Sequence, residues 1–221
     1  MEIYKGGPTI FARFETLRLS CKFCDVTLCV GTSKIQAHKI VLLTLSPYFW
    51  TKFTGPLSDE NQRLFVLKEV NDEATANIVQ FAYTGELRVD VNNVETLYTA
   101  ANYFQIEKVK GFCEEFLVEN LEIANAFEVH ELSELYSSVG LIERVNNFIS
   151  DHFAELTNMA NNEFLALNKK RLIGLISRSD LVVSSENDIW NALSNLIEND
   201  PRNRGKFMFE LLQKVLYSDK F

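Results

Sequence analysis

The sequence predicts an α+β unit, a small β-sheet flanked by helices, followed by an all-α unit. Three observations carry that expectation. The 221 residues exceed the usual single-domain size of about 100 to 150 residues. Short β-rich runs bounded by turn residues occur only before Asn71, and apolar residues at helical spacing fill the rest. A composition of 47% hydrophobic, 24% charged and 12% aromatic residues is enough to bury sizeable cores.

Thr9 is a good helix cap after Gly6-Gly7-Pro8, and Ile10, Phe14 and Leu17 then recur at helical spacing through Ser20. Asp25 to Val30 and Lys34 to Ala37 are two β-rich runs separated by Gly31-Thr32-Ser33, the pattern of a hairpin. His38 to Leu45 is helical. Ser46-Pro47 places a capping hydroxyl before a proline at the first helical position, opening a helix through Phe53 that Gly55-Pro56 ends. Leu64 to Leu67 is a third strand. Asn71 to Tyr83 is a helix with Ala74, Ile78, Val79 and Ala82 facing inward and Gly85 as its stop. Asn93 to Phe104 and Glu107 to Asn120 complete the first unit.

Beyond Glu122 the helical segments are Ala124 to Tyr136, Leu141 to His152, Glu163 to Leu167, Lys170 to Ser177, Glu186 to Glu198 and Gly205 to Leu216. Strand signals nearly vanish there. No proline falls between Pro56 and Pro201, and no Ser/Gly-rich linker separates the halves, which are expected to be packed or rigidly joined.

A net charge of −8 argues against a nucleic-acid partner, whose phosphates demand clustered Lys and Arg. Both halves are acidic, with 12 basic against 14 acidic residues up to Leu117 and 10 against 16 beyond it. The 4 cysteines are too few for a disulfide scaffold and fit a reducing compartment. No run approaches the roughly 20 apolar residues of a membrane span, and the first residues lack an apolar signal core. Cytoplasm or nucleus, and no membrane partner, are the expectations.

Catalytic and metal chemistry find little support. Cys21-x-x-Cys24 has the spacing of half a zinc site, but only Cys29 and Cys113 remain to complete one, so the pair reads as small buried hydrophobes beside a strand. His38, His130 and His152 sit in no nucleophile or metal motif. The acidic pairs Asp59-Glu60, Asp72-Glu73 and Glu114-Glu115 are sequence neighbours, which a helix turns in different directions. Gly6-Gly7 lacks the Lys-Ser/Thr of a phosphate loop. The expectation is no catalytic residue, no cofactor and no metal.

Aromatic density is the stronger signal. Tyr48-Phe49-Trp50 are consecutive and Phe53 follows. On a helix Phe49 and Phe53 share a face while Trp50 turns away from Tyr48, so the four rings do not all face one core. Either one or two are exposed by chance or part of the cluster is a partner-binding surface.

Phe23-Cys24-Asp25-Val26-Thr27-Leu28, Ile35-Gln36-Ala37-His38-Lys39, Val41-Leu42, Ser46-Pro47-Tyr48-Phe49 and Phe53 together resemble the BTB (POZ) domain. Tyr83-Thr84-Gly85, Asn93-Val94-x-x-Leu97, Ala100-Ala101 and the Gln105 to Cys113 stretch continue the resemblance in order. In the second half Phe148-Ile149-x-x-His152-Phe153-x-x-Leu156, Phe164-x-x-Leu167 and Glu186-x-x-Ile189-Trp190 are similar to the BACK domain. The implied division is a BTB domain over 1–118 and a BACK domain over 119–221, truncated at its end, as in the amino-terminal part of Kelch-like proteins.

The resemblance implies a homodimer centred on the first helix through Ile10, Phe14 and Leu17, with Asp25 and Lys39 as a charged pair near the interface and a possible exchanged strand at Glu2-Ile3-Tyr4. A stripe of three large apolar side chains at a chain end asks for a partner surface in any case. It also implies a non-catalytic substrate adaptor of a cullin-3 RING ubiquitin ligase, touching cullin-3 through Phe49, Phe53, Tyr83 and the loop from Gly55 to Glu60. The family places hydrophobic-x-Glu in that loop. Here Leu57-Ser58-Asp59 stands instead, with the charge kept and one methylene of reach lost. A groove called the 3-box, from about Phe116 to Tyr136, is implied to add Leu121, Ala124, Phe127 and Leu132. The protein substrate would bind a module absent from these residues. The alternative reading is a cullin-independent dimeric scaffold recruiting a corepressor or cytoskeletal partner.

Overall fold

The computed structural model describes residues 9–56, 58–59, 61–157, 162–167, 169–176 and 186–200. The chain divides into two compact units, Met1–Phe116 and Leu117–Phe221.

The first unit opens with α1 (Thr9–Leu19). It ends because Cys21 adopts a left-handed backbone, φ 54°, letting the N–H groups of Cys21 and Lys22 reach back to the carbonyls of Arg18 and Leu17 at 2.9 and 2.8 Å. Cys21 is therefore exposed and Cys24 half-buried, which corrects the expectation of two buried thiols. β1 (Val26–Val30) and β2 (Ser33–Ala37) form an antiparallel hairpin in which Val30 faces Ser33. The two-residue turn needs the left-handed Gly31, φ 55°.

Between that hairpin and the third strand lie α2 (Lys39–Leu45) and α3 (Pro47–Thr54). Ser46 separates them. Its hydroxyl accepts from the N–H of Phe49 at 3.3 Å and donates to the carbonyl of Phe104. β3 (Leu64–Leu67) then returns parallel to β1, so the sheet order is β2-β1-β3.

α4 (Asp72–Thr84) is capped by Asn71, whose side chain accepts from the N–H of Ala74 at 2.8 Å. It stops at left-handed Gly85. Ala74, Ile78 and Val79 are buried as expected, but Ala82 is only half-buried, while Thr75, Phe81 and Tyr83 join the buried face. α5 (Val94–Tyr103) and α6 (Glu107–Glu119) follow. Leu28, Leu42, Phe49, Ile78, Leu97, Tyr98 and Phe104 make the centre of this core.

The second unit holds α7 (Ala126–Leu135), α8 (Val139–Asp151), α9 (Phe153–Leu156), α10 (Asn162–Ala166), α11 (Lys169–Ile176) and α12 (Glu186–Asn199). On α8 Leu141, Val145 and Ile149 recur every four residues, and all are buried. α10 packs on α7, and α12 on α9. The short α9 was not anticipated: the chain bends after His152 and resumes helix at Phe153, burying Phe153 and Leu156. The helix expected at Gly205 to Leu216 lies outside the described residues, as does Glu2-Ile3-Tyr4. Among the described residues no helix is long and apolar enough to cross a membrane, and no group of three His, Cys, Asp or Glu side chains is placed to hold a metal.

Candidate partner-binding surfaces

The residues expected at a dimer interface are partly used within the chain. Phe14 and Leu17 are half-buried, and α1 packs on α4. The Phe14 ring stands edge-on to His38 at 5.6 Å. Arg18, gripped by both oxygens of Glu15 at 2.8 and 2.7 Å, lies 5.1 Å over the ring of Tyr83. The side chain of Ile10 lies outside the described set. At the last residue of α1 and just beyond it, Leu19 and Phe23 are exposed, Phe23 by 83% and in a left-handed conformation. The periodicity argument missed both because Leu19 falls off the stripe of Ile10, Phe14 and Leu17, and Phe23 lies beyond the helix.

His38 is a buried structural residue. Its N–H donates to the Tyr83 hydroxyl at 2.7 Å, that hydroxyl lies 2.9 Å from Nδ1, and Nε2 is 3.0 Å from the carbonyl of Lys22. A carbonyl only accepts, so Nε2 carries the proton and Nδ1 accepts from Tyr83. Burial pushes the Tyr83 phenol up to about 12. It also raises the Cys24 thiol, whose Sγ is 3.9 Å from His38 Nε2. Neither group is poised to react.

Asp25 is exposed. Its Oδ1 accepts from the main-chain N–H of Lys39 at 2.7 Å, at the positive end of α2. The Lys39 ammonium stands 5.8 and 5.9 Å over the Phe53 and Phe65 rings. The contact between the two positions thus runs to the backbone of residue 39.

The three rings of the first unit that were expected to face a cullin all lie in the core. Phe49 is 1% exposed, stacked on Phe104 at 5.1 Å and on Phe53 at 5.6 Å. Phe53 meets Phe65 edge-on at 4.9 Å, and Tyr83 is committed to His38. The physical reason is helical phase: four residues apart on α3, Phe49 and Phe53 share the face that meets Phe104 and Phe65. Trp50, turned away from that face, is 59% exposed.

Beside α3 runs a groove of about 400 Å³ lined by Tyr48, Lys52, Pro56, Ser58, Gln62 and Gln105, among others. The Tyr48 hydroxyl is 3.3 Å from that of Tyr103, and burial raises its pKa well above the ordinary tyrosine value. Gly55 turns the chain from α3 into this loop. A Cβ there would stand 2.5 Å from the carbonyl oxygen of Thr51, so the approach is open to glycine alone. Ser58 N–H donates to the Gly55 carbonyl at 2.9 Å. Asp59 is exposed, and its carboxylate accepts from the N–H of Asn61 at 2.9 Å. Leu57 lies outside the described residues.

In the second unit Phe127 and Leu132 are buried, with Phe127 6.1 Å from Phe164. Leu121 is half-buried and Ala124 exposed. Asn125 ties their loop, accepting from the N–H of Glu122 and donating to the carbonyl of Asn120, both at 2.9 Å. Asn93 does the same before α5, toward Asp90 and Arg88, at 2.9 and 3.1 Å.

The BTB/POZ domain family model matches residues 14–121 and the model named BTB And C-terminal Kelch (BACK) matches residues 126–218. The chain is similar to Kelch-like protein 7 of Rattus norvegicus, 34% identical over 203 residues that make up 92% of this chain and 34% of the relative. Kelch-like protein 17 of Mus musculus is 31% identical over 93% of this chain and 32% of its own length. Kelch-like protein 2 of Homo sapiens is 31% identical, covering 93% and 34%. The chain spans about a third of the length of the curated relatives it matches.

Proposed function

The chain belongs to the family that joins a BTB to a BACK domain as Kelch-like proteins do, and from that membership we propose that it is a substrate adaptor of a cullin-3 RING ubiquitin ligase. BTB-BACK proteins of this kind are generally non-catalytic adaptors. On this reading two copies associate through α1, each docks a cullin-3 amino-terminal domain, and substrate binds a module outside these residues, raising its effective concentration near the ligase.

The observation that carries the reading is the groove beside α3, formed where the family resemblance puts the cullin contact, with Asp59 exposed in the adjoining loop. The burial of Phe49, Phe53 and Tyr83 revises their part. They set the position of α3 and α4, and the contact in the first unit falls to the exposed side of α3 and the loop with Leu57 and Asp59; in the second unit Leu121 and Ala124 remain the candidates.

Calorimetry against the cullin-3 amino-terminal domain tests the reading. Leu57→Ala and Asp59→Lys are the informative variants, since Phe53→Ala would also disturb the ring stack. Submicromolar binding weakened at least tenfold by both variants supports the adaptor. No binding at tens of micromolar moves the assignment to a cullin-independent dimeric scaffold for a corepressor or cytoskeletal partner.

A further inference from the structure

We propose that the turn between α7 and α8 docks the first turn of a partner helix that opens, as α3 does, with a hydroxyl cap followed by large apolar side chains. A repeat within the chain points to it. Adding 32 to the bounds of α5, 94 and 103, gives those of α7, 126 and 135; adding it to those of α6, 107 and 119, gives those of α8, 139 and 151. The backbones of the two hairpins agree in detail. Gln105 and Ser137 are both left-handed, φ 56° and 52°. Their N–H groups donate to the carbonyls of Asn102 and Glu134 at 3.1 and 3.0 Å, and those of Ile106 and Ser138 to Ala101 and Ser133 at 2.8 and 3.0 Å. The loops ahead of both hairpins are tied alike by Asn93 and Asn125. Of residues 88–119 only Asn93 and Phe116 recur unchanged, as Asn125 and Phe148, so hydrogen bonds rather than side chains reveal the copy.

The two turns differ in what covers them. On the first, Ser46 at the head of α3 donates its hydroxyl to the Phe104 carbonyl. Phe49 stacks on the Phe104 ring at 5.1 Å, and the Tyr48 ring meets Tyr103 at 5.2 Å and Phe104 at 5.6 Å. Phe104 is 0% exposed as a result. Leu135 and Tyr136 stand where Tyr103 and Phe104 do, on the same backbone, yet Leu135 is 68% exposed and Tyr136 half-buried, and Val139 at the start of α8 is 77% exposed. Apolar side chains gathered at one turn mark an interaction site. The covered copy says what fits the open one. A carbonyl has two lone pairs, and that of Tyr136 holds the place of the Phe104 acceptor. Leu135 lacks the hydroxyl that in Tyr103 lies 3.3 Å from that of Tyr48, so an apolar ring suits the position of Tyr48 better than a phenol. The occupant is thus a helix beginning Ser-Pro-Phe-Phe, its proline at the first helical position. The turn lies at the other end of α7 from Leu121 and Ala124, which makes it separate from the cullin reading.

The test uses the 221-residue chain and a capped, fluorescent peptide with the sequence of residues 46–54 carrying Tyr48→Phe. A scrambled peptide and one with both adjacent rings replaced by alanine serve beside it. Anisotropy should report binding on the order of 100 μM, as for a short interface. Leu135→Ser with Val139→Ser, both at exposed positions, should weaken it at least tenfold while the urea midpoint of the chain stays within the range of surface changes. Ile40→Ser, at an exposed apolar residue of the first unit, should leave binding unchanged. Equal binding of the scrambled or ringless peptide, binding indifferent to the paired variant, or no binding at millimolar concentration overturns the proposal. Concentration-dependent self-association that the paired variant abolishes, with no peptide bound, would instead assign the turn to a second copy and equally overturns it.

Discussion

The main-chain N–H of His38 and the hydroxyl of Tyr83 meet at 2.7 Å across 45 residues of sequence. The same hydroxyl serves Nδ1 of that histidine at 2.9 Å. One phenol thus satisfies a buried donor and a buried acceptor where β2 hands over to α2, and Arg18 of α1 covers its ring. Three elements are registered by one side chain.

Tyr83→Phe leaves both His38 groups without that partner in a buried site. Unmet buried polar groups cost about 1 to 3 kcal/mol. Urea unfolding should show a loss of that size, and a chain unchanged in midpoint would refute the role.

Alkaline pH should destabilise the fold. Tyr83 is raised from 10.0 to about 12 and Cys113 from 9.0 to about 12, chiefly by burial. Both groups bind their proton more tightly folded than unfolded. Their stabilisation is therefore complete below pH 9, where the unfolded thiol is still protonated, and is lost as pH rises from 9 through 12. Urea midpoints measured stepwise from pH 8 to 11 should fall, and Cys113→Ala should flatten the early part of that decline.

Asp25→Ala removes the acceptor at the first N–H of α2 and should destabilise by about 1 kcal/mol, the usual worth of a helix cap. Because the contact goes to the backbone of residue 39, the loss should be the same in a Lys39→Gln background. Thermal melts of both singles and the double decide it; strong non-additivity would restore a side-chain pairing.

Phe49→Ala and Trp50→Ala are adjacent in sequence and opposite in burial. The first should cost about 3 to 5 kcal/mol as a cavity in the core, the second no more than about 0.5 kcal/mol as a surface change. Equal losses by chemical denaturation would contradict the ring arrangement on α3.

Most elements were legible from local signals. Ser46-Pro47, Asn71, Gly85 and Gly31 each act through their own backbone, so their turns and caps could be read without a fold. The helical phase of α3 also separated Trp50 from Phe49 and Phe53. Periodicity alone did not say which of those two sides met the core; the family resemblance put Phe49 and Phe53 at a partner surface, and the structure buries both in the free chain. Asp25 shows the same limit: sequence offers Lys39 as a charge partner, while geometry supplies its amide. The helix expected to end at His152 does end there; what no local signal announced is the short α9 that resumes at Phe153.

The two pairings of β1 impose an order on folding. The hairpin with β2 closes over a two-residue turn and forms in roughly microseconds. The parallel pairing with β3 must close a loop of some thirty residues, and its gain comes only once that entropy has been met. The β3 strand is thus expected to be the late arrival during folding and the early departure on local opening. Hydrogen exchange should find its amides less protected than those shared by β1 and β2, making β3 the most labile strand of the sheet.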